Sequence, residues 1–352
     1  MADGCAIQSN ECVWSTEEDF LPPRWLRNPH LQSIFSTLPW PRPRLLRDCR
    51  GLLAASRREI VDCGAGVRLV AYRAVQRAQL ANKVRRLAVL LHGWEGSSDS
   101  ADVVSLAQHL FDRDFDVIRL NLRDHGETQH LNVGLFHSCR LGEIIGAVRS
   151  LQARHPRHEL SCVGFSLGGN FGLRLGACAR AEGLDIANIV AVCPVIDPAR
   201  SLWRLDTSAG VYRRYLMHRW RRSLLKKSAA WPSRYDFYDM LQKPTLTQMA
   251  DHFVRRYTSF PSLNHYLKGY TLLGNTLRGL DVNAWLVAAT DDPIIPVEDV
   301  DRLPALGTLR ITRTRFGGHC GFYEGKPGPS WLERRIERTL SGLESQPAAE
   351  SS

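Results

Sequence analysis

The chain is 352 residues long, with 44% hydrophobic and 23% charged residues, 27 Gly and 18 Pro. That length fits two domains or one large α/β domain carrying an insertion, and the ordinary composition excludes wholesale disorder and collagen-like repetition. A mean hydropathy of −0.24 and the lack of any apolar run near the roughly 18 to 20 residues that cross a bilayer exclude an ordinary transmembrane helix.

The opening residues, Met1-Ala2-Asp3-Gly4-Cys5-Ala6, lack a positive stretch followed by an apolar one. No secretory signal is expected, and the protein is expected in the cytoplasm. The nine cysteines are scattered and form no CxxC pair, so they read as reduced thiols rather than a zinc site. The net charge of +10 suggests anionic partners, but the excess is local. Arg204, Arg213, Arg214, Arg219, Arg221, Arg222, Lys226 and Lys227 stand in one stretch against Asp206. No nucleic-acid-binding fingerprint accompanies them, so nucleic acid is not an expected partner.

Residues 1–50 read as an N-terminal arm packed on a larger body, because 20–50 is rich in Pro, Trp and Arg. A regular pattern follows over 51–343. Strands are expected at Glu59–Asp62, Leu69–Ala74 and Leu87–Leu91, then a helix at Val103–Phe111 and a strand at Asp116–Asn121. Next come helix Leu141–Ala153, strand Leu160–Phe165, helix Asn170–Ala181 and strand Ile189–Val192. Strands Trp285–Ala289 and Leu309–Arg315 and helix Trp331–Leu343 close the pattern, and residues 344–352 form a disordered tail. Strands alternating with helices of this length imply a mostly parallel sheet.

The alternation breaks over about 197–280, where the basic cluster lies. Tyr212, Leu216, Trp220 and Leu224 recur at i, i+4 and share one helix face, leaving Arg213, Arg214, Arg221 and Arg222 mainly elsewhere. An amphipathic helical insertion is expected. Its basic face is either solvated or a surface for anionic lipid or an acidic substrate.

The segment Gly164-Phe165-Ser166-Leu167-Gly168 sits between a strand and a helix, the setting that a G-x-S-x-G nucleophile elbow requires. Small residues at 164 and 168 let the backbone turn tightly enough to expose the Ser166 hydroxyl. An activated serine needs a base, and the base needs an orienting carboxylate, in the chain order Ser, Asp, His. Asp292, at the end of strand Trp285–Ala289, is the expected acid, with adjacent Asp291 the competitor. His319, in Gly317-Gly318-His319-Cys320-Gly321 after the last strand, is the expected base.

The oxyanion needs two backbone donors. Leu167 N–H is one. Trp94 N–H, in the loop His92-Gly93-Trp94-Glu95-Gly96, is the other. His92 is expected to order that loop by hydrogen bonding rather than act as a base. Asn121-Leu122-Arg123-Asp124-His125-Gly126-Glu127 either touches substrate or holds neighbouring loops together. Cys162 and Cys320 read as packing residues.

These segments, with Asp291-Asp292-Pro293-Ile294-Ile295-Pro296 and the opening run Trp25-Leu26-Arg27-Asn28-Pro29-His30-Leu31-Gln32-Ser33-Ile34, resemble the YheT-like family of α/β-hydrolases. Thr245-Leu246-Thr247-Gln248 looks like part of that family's lid. The resemblance implies an α/β-hydrolase fold, a mostly parallel central sheet flanked by helices with a helical lid insertion. It also implies a Ser166/Asp292/His319 triad and esterase activity on short-chain or acylglycerol-like carboxylic esters. Eukaryotic relatives often carry a membrane anchor, whereas this chain looks like the soluble bacterial type. Two positions depart from the family pattern: Trp94 would narrow the acyl pocket, and Asp124 would add charge near its mouth.

The expected protein is therefore a serine hydrolase that forms an acyl-enzyme and needs no metal or organic cofactor. Its partner is a small-molecule ester or lipid, with peripheral contact to anionic membrane through the basic lid. An acyltransferase using the same triad, or an interaction protein on the same fold, are the alternatives. Ser166 in place of a carboxylate argues against haloalkane or epoxide hydrolysis.

Overall fold

The computed structural model describes residues 14–16, 20–37, 48–76, 85–207 and 210–343. The expected tail and the opening Met1–Ala6 run lie outside these residues. One sheet organises the rest. Its strands are β1 (Trp14–Thr16), β2 (Ser56–Asp62), β3 (Arg68–Ala74), β4 (Arg85–Leu91), β5 (Phe115–Leu120), β6 (His158–Phe165), β7 (Asn188–Val192), β8 (Asn283–Ala289) and β9 (Leu309–Thr314). Their spatial order is β1-β9-β8-β7-β6-β4-β5-β3-β2. All neighbours pair in parallel except at β3, which runs against both β5 and β2.

The central strands are apolar runs because both of their faces are covered. Leu87 to Leu91 and Leu160 to Phe165 are buried without a break. Helices α4 (Leu141–Arg154) and α5 (Leu167–Cys178) supply one apolar layer. The opposite layer comes from α2 (Arg50–Ala55), α3 (Ala101–Phe111) and α11 (Trp331–Leu340). In α3 the buried Val103, Val104, Leu106, Ala107 and Leu110 form the stripe that meets the sheet. A capping box at Ser330 and Glu333 starts α11.

Between β7 and β8 the chain forms α6 (Pro198–Thr207), α7 (Gly210–Ala230), α8 (Tyr238–Leu241), α9 (Leu246–Tyr257) and α10 (Leu263–Lys268). These helices have an apolar core of their own, with Met217, Leu224, Met240, Met249 and Phe253 buried in it. Leu216 and Trp220 pack against that core, as their spacing predicts. Tyr212 instead leaves the stripe and stacks on His30, ring centroids 5.7 Å apart.

The N-terminal region holds more structure than an arm or loop. Helix α1 (Pro29–Thr37) follows a 3-10 turn at Arg24–Leu26, and β1 extends the sheet edge by pairing with β9. Phe20 is buried against Phe322 and Trp331, with ring centroids 5.6 and 5.5 Å away.

Candidate active site

Parallel strands bring their C-terminal ends to one edge of the sheet, and the loops leaving that edge build the site. Ser166 lies between β6 and α5 with φ 52° and ψ −114°, a conformation that costs a non-glycine residue free energy. The turn closes because neighbouring backbones touch. A Cβ at Gly164 would stand 2.2 Å from the Gly168 carbonyl, and one at Gly168 would stand 2.3 Å from Leu91 O. Ser166 N donates to Val192 O at 2.8 Å, and Ser166 O accepts from Asn170 N at 3.1 Å. The residue stays partly exposed.

His319 lies on the loop after β9. Its Nδ1 is 2.9 Å from Asp292 Oδ2, and Asp292 Oδ1 accepts Ile294 N and Ile295 N at 2.8 and 2.9 Å. Asp292 is buried. Asp291 faces elsewhere: its Oδ1 accepts Gly318 N at 2.8 Å, and burial pushes its carboxyl up to about 6. The histidine loop reaches the serine turn at a shared atom, since the Cys320 thiol donates to the same Val192 O at 3.7 Å. Cys193 joins there, with Sγ 3.8 Å from Gly318 O. The two sulfurs and a ring nitrogen of His319 lie within 4.8 Å of one another. Cys193 gave no signal in the sequence, because it carries no motif.

The loop after β4 completes the rim. Gly93 lets it approach the serine: a Cβ there would be 3.3 Å from Ser166 Cβ. His92 is fully buried and links loops. Its Nδ1 donates to Gly93 O at 2.7 Å, while Nε2 accepts from Leu122 N at 3.1 Å. Burial lowers its pKa to about 3, so the ring is neutral at pH 7. His125 repeats the device, with Nδ1 donating to Arg123 O and Nε2 accepting Glu95 N, and burial lowers it to about 4. The loop-ordering expectation for His92 matches this geometry.

Trp94 packs edge-on against Trp220 with centroids 5.3 Å apart. Trp220 also lines, with Glu95, His125 and Phe136, a cavity of about 20 Å³, with room for about one water. A larger cavity of about 310 Å³, near Leu184, Ala187 and Asn283, is at the start of β7 and β8, the opposite edge from Ser166.

Asp124 does not add free charge at the mouth. It is buried with Lys227, whose Nζ donates to Asp124 Oδ1 at 2.8 Å and to the carbonyls of Asn132 and Gly134 at 2.6 and 3.1 Å. Much of the basic cluster has similar internal partners. Arg219 donates to Glu95 O, Lys226 pairs with Glu127, Arg213 donates to Asp206 O and Arg221 to Lys243 O. Arg214 and Arg222 remain exposed. No described helix is long and apolar enough to cross a membrane.

Comparison with known proteins agrees with this architecture. A family model described as alpha/beta hydrolase fold matches residues 88–326. The chain is similar to YheT of Escherichia coli, which carries the name of an esterase, at 26% identity across 97% of this chain and 98% of that protein. It is also similar to the human monoacylglycerol lipase ABHD2, at 24% identity over 54% of this chain and 49% of that protein, about half of its length. Among solved structures, the Pyrococcus furiosus esterase Pf2001 matches with a TM-score of 0.54 and 15% identity, covering 82% of this chain and 91% of that one. That last match is a likeness of fold.

Proposed function

Because the chain belongs to the α/β hydrolase fold family, we propose that it is a serine hydrolase that cleaves carboxylic esters, short-chain or acylglycerol-like. The observation that carries this reading is the junction at Val192 O, where the strained Ser166 turn meets the loop whose His319 Nδ1 pairs with Asp292 at 2.9 Å. Esterase and monoacylglycerol lipase names among the relatives support the ester class of substrate.

With Nδ1 held by Asp292, Nε2 of His319 is the nitrogen left to take the proton of Ser166 as Oγ attacks the ester carbonyl. Asp292 fixes that tautomer and stabilises the imidazolium. The oxyanion is received by Leu167 N–H and Trp94 N–H, each worth roughly 3 kcal/mol of barrier. His319 then gives its proton to the leaving alcohol, which departs and leaves an acyl-serine. Water, deprotonated by His319, attacks that ester, and the acid departs as Ser166 regains its proton.

Hydrolysis of p-nitrophenyl esters from acetate to palmitate tests this reading. Turnover and fluorophosphonate labelling are expected in the wild type and lost in Ser166→Ala, with the preferred chain length sizing the acyl pocket. Turnover that survives in Ser166→Ala sinks the proposal.

The exposed Arg214 and Arg222, beside exposed Val211, Tyr215 and Leu225 on α7, support a second element: peripheral contact of this lid helix with an anionic lipid surface. Liposome co-sedimentation is expected to need acidic lipid and to weaken with salt. Binding indifferent to both removes the idea.

A further inference from the structure

We propose that helix α1 belongs to the catalytic apparatus, with Ser33 as a positioning residue for His319 and Gln32 as the clamp on the far side of its loop. The inference rests on the serine-hydrolase reading and concerns what holds the base in place.

The loop 317–323 needs outside support. Cys320 and Phe322 both have positive φ, at 61° and 53°, and its internal backbone bonds include Gly321 N and Phe322 N to Gly317 O, at 3.1 and 3.3 Å. Support comes from a segment nearly 300 residues upstream. Ser33 Oγ accepts His319 N–H at 2.8 Å and donates to Pro29 O at 2.7 Å. Gln32 holds both backbone polar groups of Tyr323: Oε1 accepts Tyr323 N at 2.8 Å and Nε2 donates to Tyr323 O at 3.0 Å. Nε2 also donates to Leu26 O at 3.0 Å. Both side chains are buried, Gln32 completely.

The fit is close enough to exclude a side chain at Gly318 and at Gly321. A Cβ at Gly318 would stand 2.4 Å from Pro29 O, and one at Gly321 would stand 2.6 Å from Gln32 O. The base is therefore fixed at four points: Asp291 holds Gly318 N, Ser33 holds His319 N, Gln32 holds Tyr323, and Asp292 holds the ring. Helix α7 reaches α1 as well: Tyr212 OH lies 3.0 Å from His30 Nδ1, so the lid meets the helix that holds the base.

Proton transfer is steep in distance, and a displacement near 1 Å can cost on the order of a hundredfold in rate. Loss of the Ser33 hydroxyl frees the His319 peptide while leaving the substrate pocket intact. The expected signature is a fall in kcat without a change in KM.

The test is p-nitrophenyl butyrate kinetics of wild type, Ser33→Ala and Ser166→Ala, with competent sites counted by the end point of fluorophosphonate labelling. That count removes any misfolded fraction. Ser33→Ala is expected to lose about tenfold to a hundredfold in kcat per labelled site, with KM within about twofold of wild type. Wild-type kcat per labelled site in Ser33→Ala, even with fewer sites, would show that Ser33 is structural only and overturn the inference, leaving the hydrolase reading standing. Turnover that Ser166→Ala leaves intact would overturn both.

Discussion

Two adjacent carboxylates at the end of β8 do different work. Asp292 accepts two backbone N–H groups on one oxygen and meets the His319 ring with the other, whereas Asp291 holds the backbone of Gly318. Which one faces the histidine follows from the turn in which Asp292 N donates to Ala289 O at 3.2 Å, a direction that residue type does not encode. Ser166 and His319 were legible because each sits after a strand whose end is marked by apolar residues and glycine. Asp292 was the expected acid with Asp291 as its competitor, and it is Asp292 that meets the ring. Asparagine variants separate the two roles. Asp292→Asn presents an amide to the imidazole, and kcat is expected to drop by about 10⁴. Asp291→Asn keeps an oxygen for Gly318 N–H, so its loss is expected to stay below about tenfold. Steady-state kinetics of both variants check this, and the reverse order would reassign the orienting acid.

At the scale of elements, the sheet and the helical insertion were readable, and the contacts that tie helices α1 and α7 to the core were not. Strands buried on both faces must be unbroken apolar runs, so β4, β6, β7 and β8 announce themselves within a few residues of their ends. Helix α1 has no such run. Its buried Gln32 and Ser33 are explained by partners near residue 320, and one-dimensional periodicity carries no trace of contacts that distant. Lys227 was hidden for a similar reason, as one charge in a basic run. It lies three residues after buried Leu224, on the inward side of α7, and pins that helix to Asp124 and the 129–134 loop. Burial pushes Asp124 up and Lys227 down, and each charge opposes the shift of the other. Lys227→Met fills the volume but strands a buried carboxylate, so urea denaturation is expected to show a loss of about 3–5 kcal/mol. Adding Asp124→Asn removes the stranded charge and is expected to recover part of that loss. No recovery in the double variant would mean that the unmet carbonyls, rather than the charge, set the cost.

Across the whole molecule, buried titratable groups of opposite sign offset one another. Burial lowers His92 to about 3 and His125 and His137 to about 4. As pH falls below their ordinary value near 6.5, the unfolded chain binds protons that the fold refuses, and stability is lost. Burial raises Glu95 to about 7 and Asp102 and Asp291 to about 6. These acids bind protons in the folded state first, so their contribution moves the other way, with stability gained as pH falls from about 7 to about 4.5. The lowered His109 and His155 and the raised Asp124 and Asp299 extend both sides of the balance. Over the same pH range the two sets move stability in opposite directions, so each offsets part of the other. The balance can be tipped from one side. In a Glu95→Gln, Asp291→Asn double variant, two of the compensating acids are gone while the buried histidines remain. Urea unfolding of that variant is expected to lose stability more steeply from pH 7 to pH 5 than that of the wild type. Parallel curves for the two proteins would mean that these acids are not protonated in the fold.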